Sequence, residues 1–145
     1  MVHALEDIHR LLKPAGHLID IHPFAEASLG EIHQGQAILF STPVPTNGLD
    51  EIQQADSALA RVVQRGLFAV EQASEFDFRV YASSVSQLRD YLAEASAFHA
   101  DSLDEQVVAQ WEELATQVEG LMSAAGEGAE VATCERAHIA RLAPL

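Results

Sequence analysis

The sequence predicts an α+β fold, and three observations carry that reading. Apolar residues recur at helical spacing in four stretches, they alternate with polar ones across 67–81, and a short apolar run at 17–22 is fenced by Gly16 and Pro23. The 145 residues amount to one domain at about 100–200 residues per domain, so 1–145 is expected to fold as a single domain. A chain of that length buries about 68–70% of its unfolded surface, enough for a core without crosslinks.

In chain order, Val2, Leu5, Ile8 and Leu12 form one helical stripe. Lys13-Pro14-Ala15-Gly16 then supplies a cation, a helix breaker and a flexible residue, so the first helix is expected over 3–13. His17-Leu18-Ile19-Asp20-Ile21-His22 reads as a strand with much of both faces buried. Residues 24–30 read as a loop, 31–33 and 36–40 as the arms of a weak hairpin around Gln34-Gly35, and 41–48 as a turn-rich connector. Leu49, Ile52, Ala55, Leu59, Val62 and Val63 mark a second helix over 49–65, closed by Gly66.

Phe68, Val70, Phe76, Phe78 and Val80 then alternate with Glu71, Glu75, Asp77 and Arg79, predicting a long half-buried strand with an irregularity near Ala73-Ser74. Ser84 with Gln87, and Ser102 with Glu105, match the capping-box spacing ahead of two more helices. The first uses Val85, Leu88, Leu92 and Ala95. The second, over 103–124, carries Leu103, Val107, Trp111, Leu114, Val118, Leu121 and Met122. Gly126-Glu127-Gly128 ends it, and 131–142 reads as a final strand with Arg136 and Arg141 as its basic positions.

Eight Lys and Arg against 22 Asp and Glu give a net charge of −14 with neutral histidines. Such a surface repels phosphates, which argues against nucleic acid and against an anionic membrane as partners. No stretch approaches about 18 uncharged apolar residues, and no basic segment followed by an apolar one opens the chain. The single cysteine, Cys134, excludes an internal disulfide and a cysteine-only metal site and suits a reducing cytoplasm.

Seven histidines call for a test of metal spacing. Asp20 and His22 are two apart on one strand face, and His33 can return beside them from the hairpin. Two imidazoles and a carboxylate suit zinc, and with it a small metal-dependent hydrolase. The competing reading is a polar strand face whose histidines hydrogen-bond to loop backbone. His3 and His9 are six apart and His99 and His138 stand alone, so none forms the i, i+4 pair of a helical metal site. Cys134 and His138 share a strand face but lie about 13 Å apart by strand rise, too far for a thiol and its base.

Phe68, Phe76, Phe78 and Trp111 fall on periodic faces, which favours core over a ligand pocket. Asp101, Asp104, Glu105, Glu112 and Glu113 read as a solvated helix face, because no glycine-centred calcium loop accompanies them. No nucleophile elbow, Walker loop, paired CxxC or glycine-rich strand-to-helix turn occurs in the sequence.

Residues 4–21, Ala-Leu-Glu-Asp-Ile-His-Arg-Leu-Leu-Lys-Pro-Ala-Gly-His-Leu-Ile-Asp-Ile, resemble the late motif of class I S-adenosylmethionine-dependent methyltransferases, with Ala15 where that family prefers glycine. There a helix reading "aLxEixRvLKPGG" leads into the fifth strand of a Rossmann-like sheet. Gly66 to Tyr81 looks like the sixth strand, Ser84 to Phe98 like the helix after it, and 131–142 like the seventh, antiparallel strand. The resemblance implies a partial Rossmann-like sheet with antiparallel C-terminal strands and flanking helices. It covers the C-terminal half of such an enzyme, without the glycine-rich loop and acidic residue that grip the cofactor.

On that resemblance no residue of a cofactor site carries over. The isolated chain is expected to bind no cofactor, and S-adenosylmethionine enters only if a partner completes the site. The expected role is a dimeric binding or regulatory module, or else the substrate-side subunit of a split methyltransferase, with Arg79 and the 23–48 loop toward substrate. The resemblance also leaves the 17–22 strand without its parallel neighbour. Leu18, Ile19 and Ile21 then flank an open edge that a second copy, or a cofactor-binding chain, is expected to cover.

Overall fold

A computed structural model describes residues 1–46, 49–96 and 104–145. Within them run α1 (Val2–Leu11), β1 (Leu18–Pro23), β2 (Leu29–Gln34), β3 (Ala37–Pro43), α2 (Leu49–Gln64), β4 (Phe68–Ala82), α3 (Val85–Ser96), α4 (Glu105–Ala125) and β5 (Ala129–Pro144). The fold is α+β, with a five-stranded antiparallel sheet and flanking helices. Its contacts gather into two compact units, 1–26 with 48–77 and 136–145, and 27–47 with 78–135.

Unit one holds α1, β1, α2, the first part of β4 and the last part of β5. Val2, Leu5 and Ile8 of α1, followed by Leu12, pack on a core of Val62, Phe68, Ala140 and Leu142. No side chain caps the N-terminus of α1, so this packing is what holds a helix of ten residues. At its end the Gly16 N–H donates to the Lys13 carbonyl at 2.8 Å. A Cβ on Gly16 would stand 3.1 Å from that same oxygen, so the turn into β1 fits glycine more closely than any larger residue.

α2 closes differently. The Gly66 N–H donates to the Val63 carbonyl at 2.9 Å and the Leu67 N–H to the Val62 carbonyl at 3.0 Å, the paired bonds of a Schellman cap. Gly66 takes the left-handed φ of 72° that this cap requires. Leu67 then packs in the same core as Val62.

β1 pairs antiparallel with β5, Leu18 opposite Leu142 and His22 opposite His138. The expectation of a strand buried on both faces is corrected here. Side chains alternate along a strand, so Leu18, Asp20 and His22 share the face on which Leu18 meets the core. Ile19 and Ile21 take the other face and are 52% and 59% exposed. Leu18 is likewise corrected as an exposed edge residue, because it packs among Phe68, Val62 and Leu142.

Unit two holds the β2–β3 hairpin, the rest of β4 and β5, α3 and α4. The hairpin turns through Gly35-Gln36 and carries a register shift between Ile32 and His33. Ile32, Ala82, Val85, Leu88, Ala115, Val118 and Val131 form its core, with Phe40, Val80, Leu92, Leu114 and Met122 around them. The Ser84 hydroxyl accepts from the Gln87 N–H at 3.1 Å, as the capping box predicts, while the Gln87 side chain accepts from the Ser83 N–H at 2.9 Å. Asp104 caps α4 by accepting from the Gln106 N–H at 2.9 Å. Ser102, the expected cap, and His99 and Asp101 lie outside the described residues.

β4 departs from its expected half-buried alternation. Its ends, Phe68 and Ala82, are buried, but 70–78 are exposed, Val70, Phe76 and Phe78 included. Phe68 belongs to the core of the first unit and Ala82 to that of the second, and 70–78 belong to neither. Phe68 is core as expected, Phe76 and Phe78 are not, and Trp111 is half-buried.

Candidate functional site

On unit one, the covered face of β1 carries Asp20 and His22, and β5 brings His138 directly across from His22. The His22 Nδ1 lies 2.7 Å from Asp20 Oδ2, and its Nε2 lies 2.5 Å from Oδ1 of Asp56, which extends from α2. Both ring nitrogens thus face carboxylate oxygens. A protonated ring can donate to both, a neutral ring to one. Partial burial pulls the His22 pKa down, but the hydrogen bond to Asp56 and the charge and hydrogen bond of Asp20 outweigh it, leaving the pKa above the ordinary histidine value.

The His138 ring sits edge-on to His22, centroids 4.4 Å apart, and 6.3 Å from the Phe24 ring. Its Nδ1 is 3.6 Å from Asp20 Oδ2, beyond hydrogen-bond range, and this buried atom has no hydrogen-bond partner among the described residues. Arg136 lies over the other participant in that stack, 4.8 Å from the Phe24 centroid, and pairs with Glu75. His22, His138 and Asp20 side chains are 15%, 23% and 25% exposed, so the cluster is sheltered but reachable from solvent.

His33, expected beside Asp20 and His22, is placed elsewhere. In unit two its Nε2 meets Glu31 Oε2 at 2.7 Å and its ring stands edge-on to Tyr81 at 5.1 Å. Arg79, the expected substrate-side cation, is committed to the same carboxylate: its Nε donates to Glu31 Oε2 at 2.8 Å. Burial raises the Glu31 pKa, yet the bonds from Arg79 and His33 override it and hold the carboxyl below its usual range.

His138, read from sequence as isolated, takes the place expected for His33. A signal for it existed. Setting the last strand antiparallel to the first, Leu142 against Leu18, brings His138 to His22 by counting four residues along each. Of the other histidines, His3 meets Glu6 at 3.0 Å, His9 reaches the Leu145 carbonyl at 3.3 Å, and His17 meets Glu71 at 3.2 Å. Cys134 is buried within β5.

Two imidazoles and a carboxylate on paired strands can hold a proton tightly or a divalent cation of the zinc type. Compared with known proteins, the chain matches no family, no curated protein and no solved structure.

Proposed function

We propose that this chain is a methyltransferase-related module, inactive by itself, that acts by binding a second copy through β1. One observation carries the reading. Among the described residues β1 pairs with β5 alone, leaving its other edge unpaired, and Ile19 and Ile21 stand exposed on one face of the strand. An apolar strand edge of this kind is a template for another strand, and a two-fold axis is the simplest closure.

The sequence order supports the family reading: helix α1, a Lys-Pro-Ala-Gly turn, edge strand β1, and an antiparallel last strand beside it. On this reading no S-adenosylmethionine site belongs to the module, because these 145 residues contain no glycine-rich strand-to-helix turn. The charge of −14 disfavours nucleic acid as a partner, a lone buried cysteine fits a cytoplasmic setting, and no described helix is long and apolar enough to cross a membrane.

A second reading has its own support. Edge-to-edge pairing satisfies the backbone of β1 but leaves the face of Ile19 and Ile21 in water, whereas a cofactor-binding chain with its own helices would cover both. That is the split methyltransferase. Light scattering across a dilution series tests the first reading: a dimer that Ile19→Lys with Ile21→Lys reduces to a monomer supports it. A monomer at every concentration, or tight S-adenosylmethionine binding by the isolated chain in calorimetry, defeats it.

A further inference from the structure

We infer that Asp20, His22 and His138 form a binding site for one divalent transition-metal ion of the zinc class, with Asp56 fixing His22 from behind. The inference is independent of the methyltransferase reading and of how β1 is covered. It rests on four features of unit one.

The first is convergence. One ligand atom from each of the three residues lies within 4.8 Å of the other two. Ligands held about 2.0–2.1 Å from a tetrahedral centre stand about 3.3 Å apart. The His138 Nδ1 to Asp20 Oδ2 separation of 3.6 Å is already close to that. The 2.7 Å contact between His22 and Asp20 must open by about 0.6 Å, and the His22 and His138 nitrogens, within 4.8 Å of each other, settle to the same spacing.

The second is the orphaned nitrogen. A buried polar atom with no partner is uncommon and calls for a cause, and His138 Nδ1 is such an atom. A metal ion between it and Asp20 would use a lone pair that no described residue satisfies by a hydrogen bond.

The third is charge and donor type. The ion-pair partners of Asp20 and Asp56 are histidines, so with neutral imidazoles the cluster carries two negative charges to set against a dication. Two nitrogen donors with one oxygen suit zinc, cobalt or nickel rather than magnesium or calcium, which want oxygen throughout.

The fourth is the supporting shell. His22 faces Asp20 through Nδ1 and Asp56 through Nε2. A metal-bound imidazole typically donates its other N–H to a carboxylate, which fixes the tautomer and ring plane. Asp56 stands where that acceptor belongs. His22 and His138 are opposed across a hydrogen-bonded ladder and Asp20 is two residues along, so rigid backbone sets the spacing. Three protein ligands leave a fourth position for water or another ligand.

The full chain, freed of any affinity tag and stripped with chelator, is titrated with zinc by calorimetry and with cobalt by absorbance. Circular dichroism checks each variant's fold. The expected result is one ion per chain, an intense visible cobalt spectrum, and a rise in thermal midpoint with zinc. His138→Ala should weaken zinc by about 100-fold or more, and Asp56→Asn by about tenfold, as loss of a ligand and of its supporting carboxylate do. His3→Ala, at a surface histidine, should change nothing. Because Asp56 is half exposed on α2, its variant remains informative even if His138→Ala misfolds. Failure of the wild type to bind zinc stoichiometrically, or zinc binding unaltered in both site variants, overturns the inference. A dimer can persist when zinc binding fails, and zinc binding can persist in a monomer, so the two readings fail separately.

Discussion

Two strands carry the same three-residue pattern, an acid, isoleucine and histidine: Asp20-Ile21-His22 on β1 and Glu31-Ile32-His33 on β2. In both, acid and imidazole stand 2.7 Å apart on one strand face. Their surroundings differ. Glu31 and His33 are 3% and 5% exposed, and Arg79 closes the network, so the group is charge-balanced and internally satisfied. Asp20 and His22 are met instead by a second carboxylate and a second imidazole, one nitrogen of which has no hydrogen-bond partner among the described residues. The isoleucines differ too, Ile32 in a core and Ile21 in solvent. The same acid-isoleucine-histidine pattern thus yields a structural lock in one unit and a candidate binding site in the other, and the groups brought to it from remote segments, Arg79 of β4 or Asp56 of α2 with His138 of β5, make the difference.

The largest effect is expected from opening the lock. Among the described residues, Arg79→Met leaves the buried Glu31 carboxylate with His33 as its one remaining side-chain hydrogen-bond partner. Losing one member of a buried pair costs about 3–5 kcal/mol, and because Arg79 is itself part-exposed the expected loss is about 2–4 kcal/mol in urea denaturation. A loss below about 1 kcal/mol would put this pair in the class of surface ion pairs and erase the contrast.

The acid limb of stability gives a second, smaller effect. The folded-state pKa of Glu31 lies below its ordinary 4.5, so its contribution is present above that value and is lost as pH falls through the folded pKa. Glu31→Gln, which cannot ionise, should therefore flatten the fall in stability below pH 4.5, read from denaturant midpoints in parallel with wild type. Equal slopes would mean that the carboxyl titrates alike in folded and unfolded chains.

The smallest effect belongs to the open cluster. Asp56→Asn, removing an exposed carboxylate from His22, should cost about 1 kcal/mol or less in metal-free protein. A much larger loss would make the cluster a second lock.

Much of this was legible from the sequence, element by element. The stripe Val2, Leu5, Ile8 marked α1, the Ser84–Gln87 box marked α3, and Gly66 marked the end of α2, because these signals act within a turn or two of backbone. Asp20 and His22 were legible as a pair for the same reason. Their third member was not. His33 is near in sequence and His138 far, and choosing between them required knowing that β5, not the hairpin, lies beside β1. The exposure of Phe76 and Phe78 was equally hidden, since alternation says which residues share a face but not whether anything covers it.

By itself, then, the sequence determined the helices, most of the strand segments and the two acid-isoleucine-histidine triplets, all products of short-range backbone geometry and side-chain periodicity, while ends such as Leu11 of α1 and Leu29 of β2 fell two residues from where spacing put them. Tertiary structure alone decided which remote groups each triplet meets, which isoleucine is buried, and whether the imidazole shares its carboxylate with an arginine or stands against another imidazole. Those outcomes depend on pairing between segments remote along the chain, and local spacing carries no information about that choice.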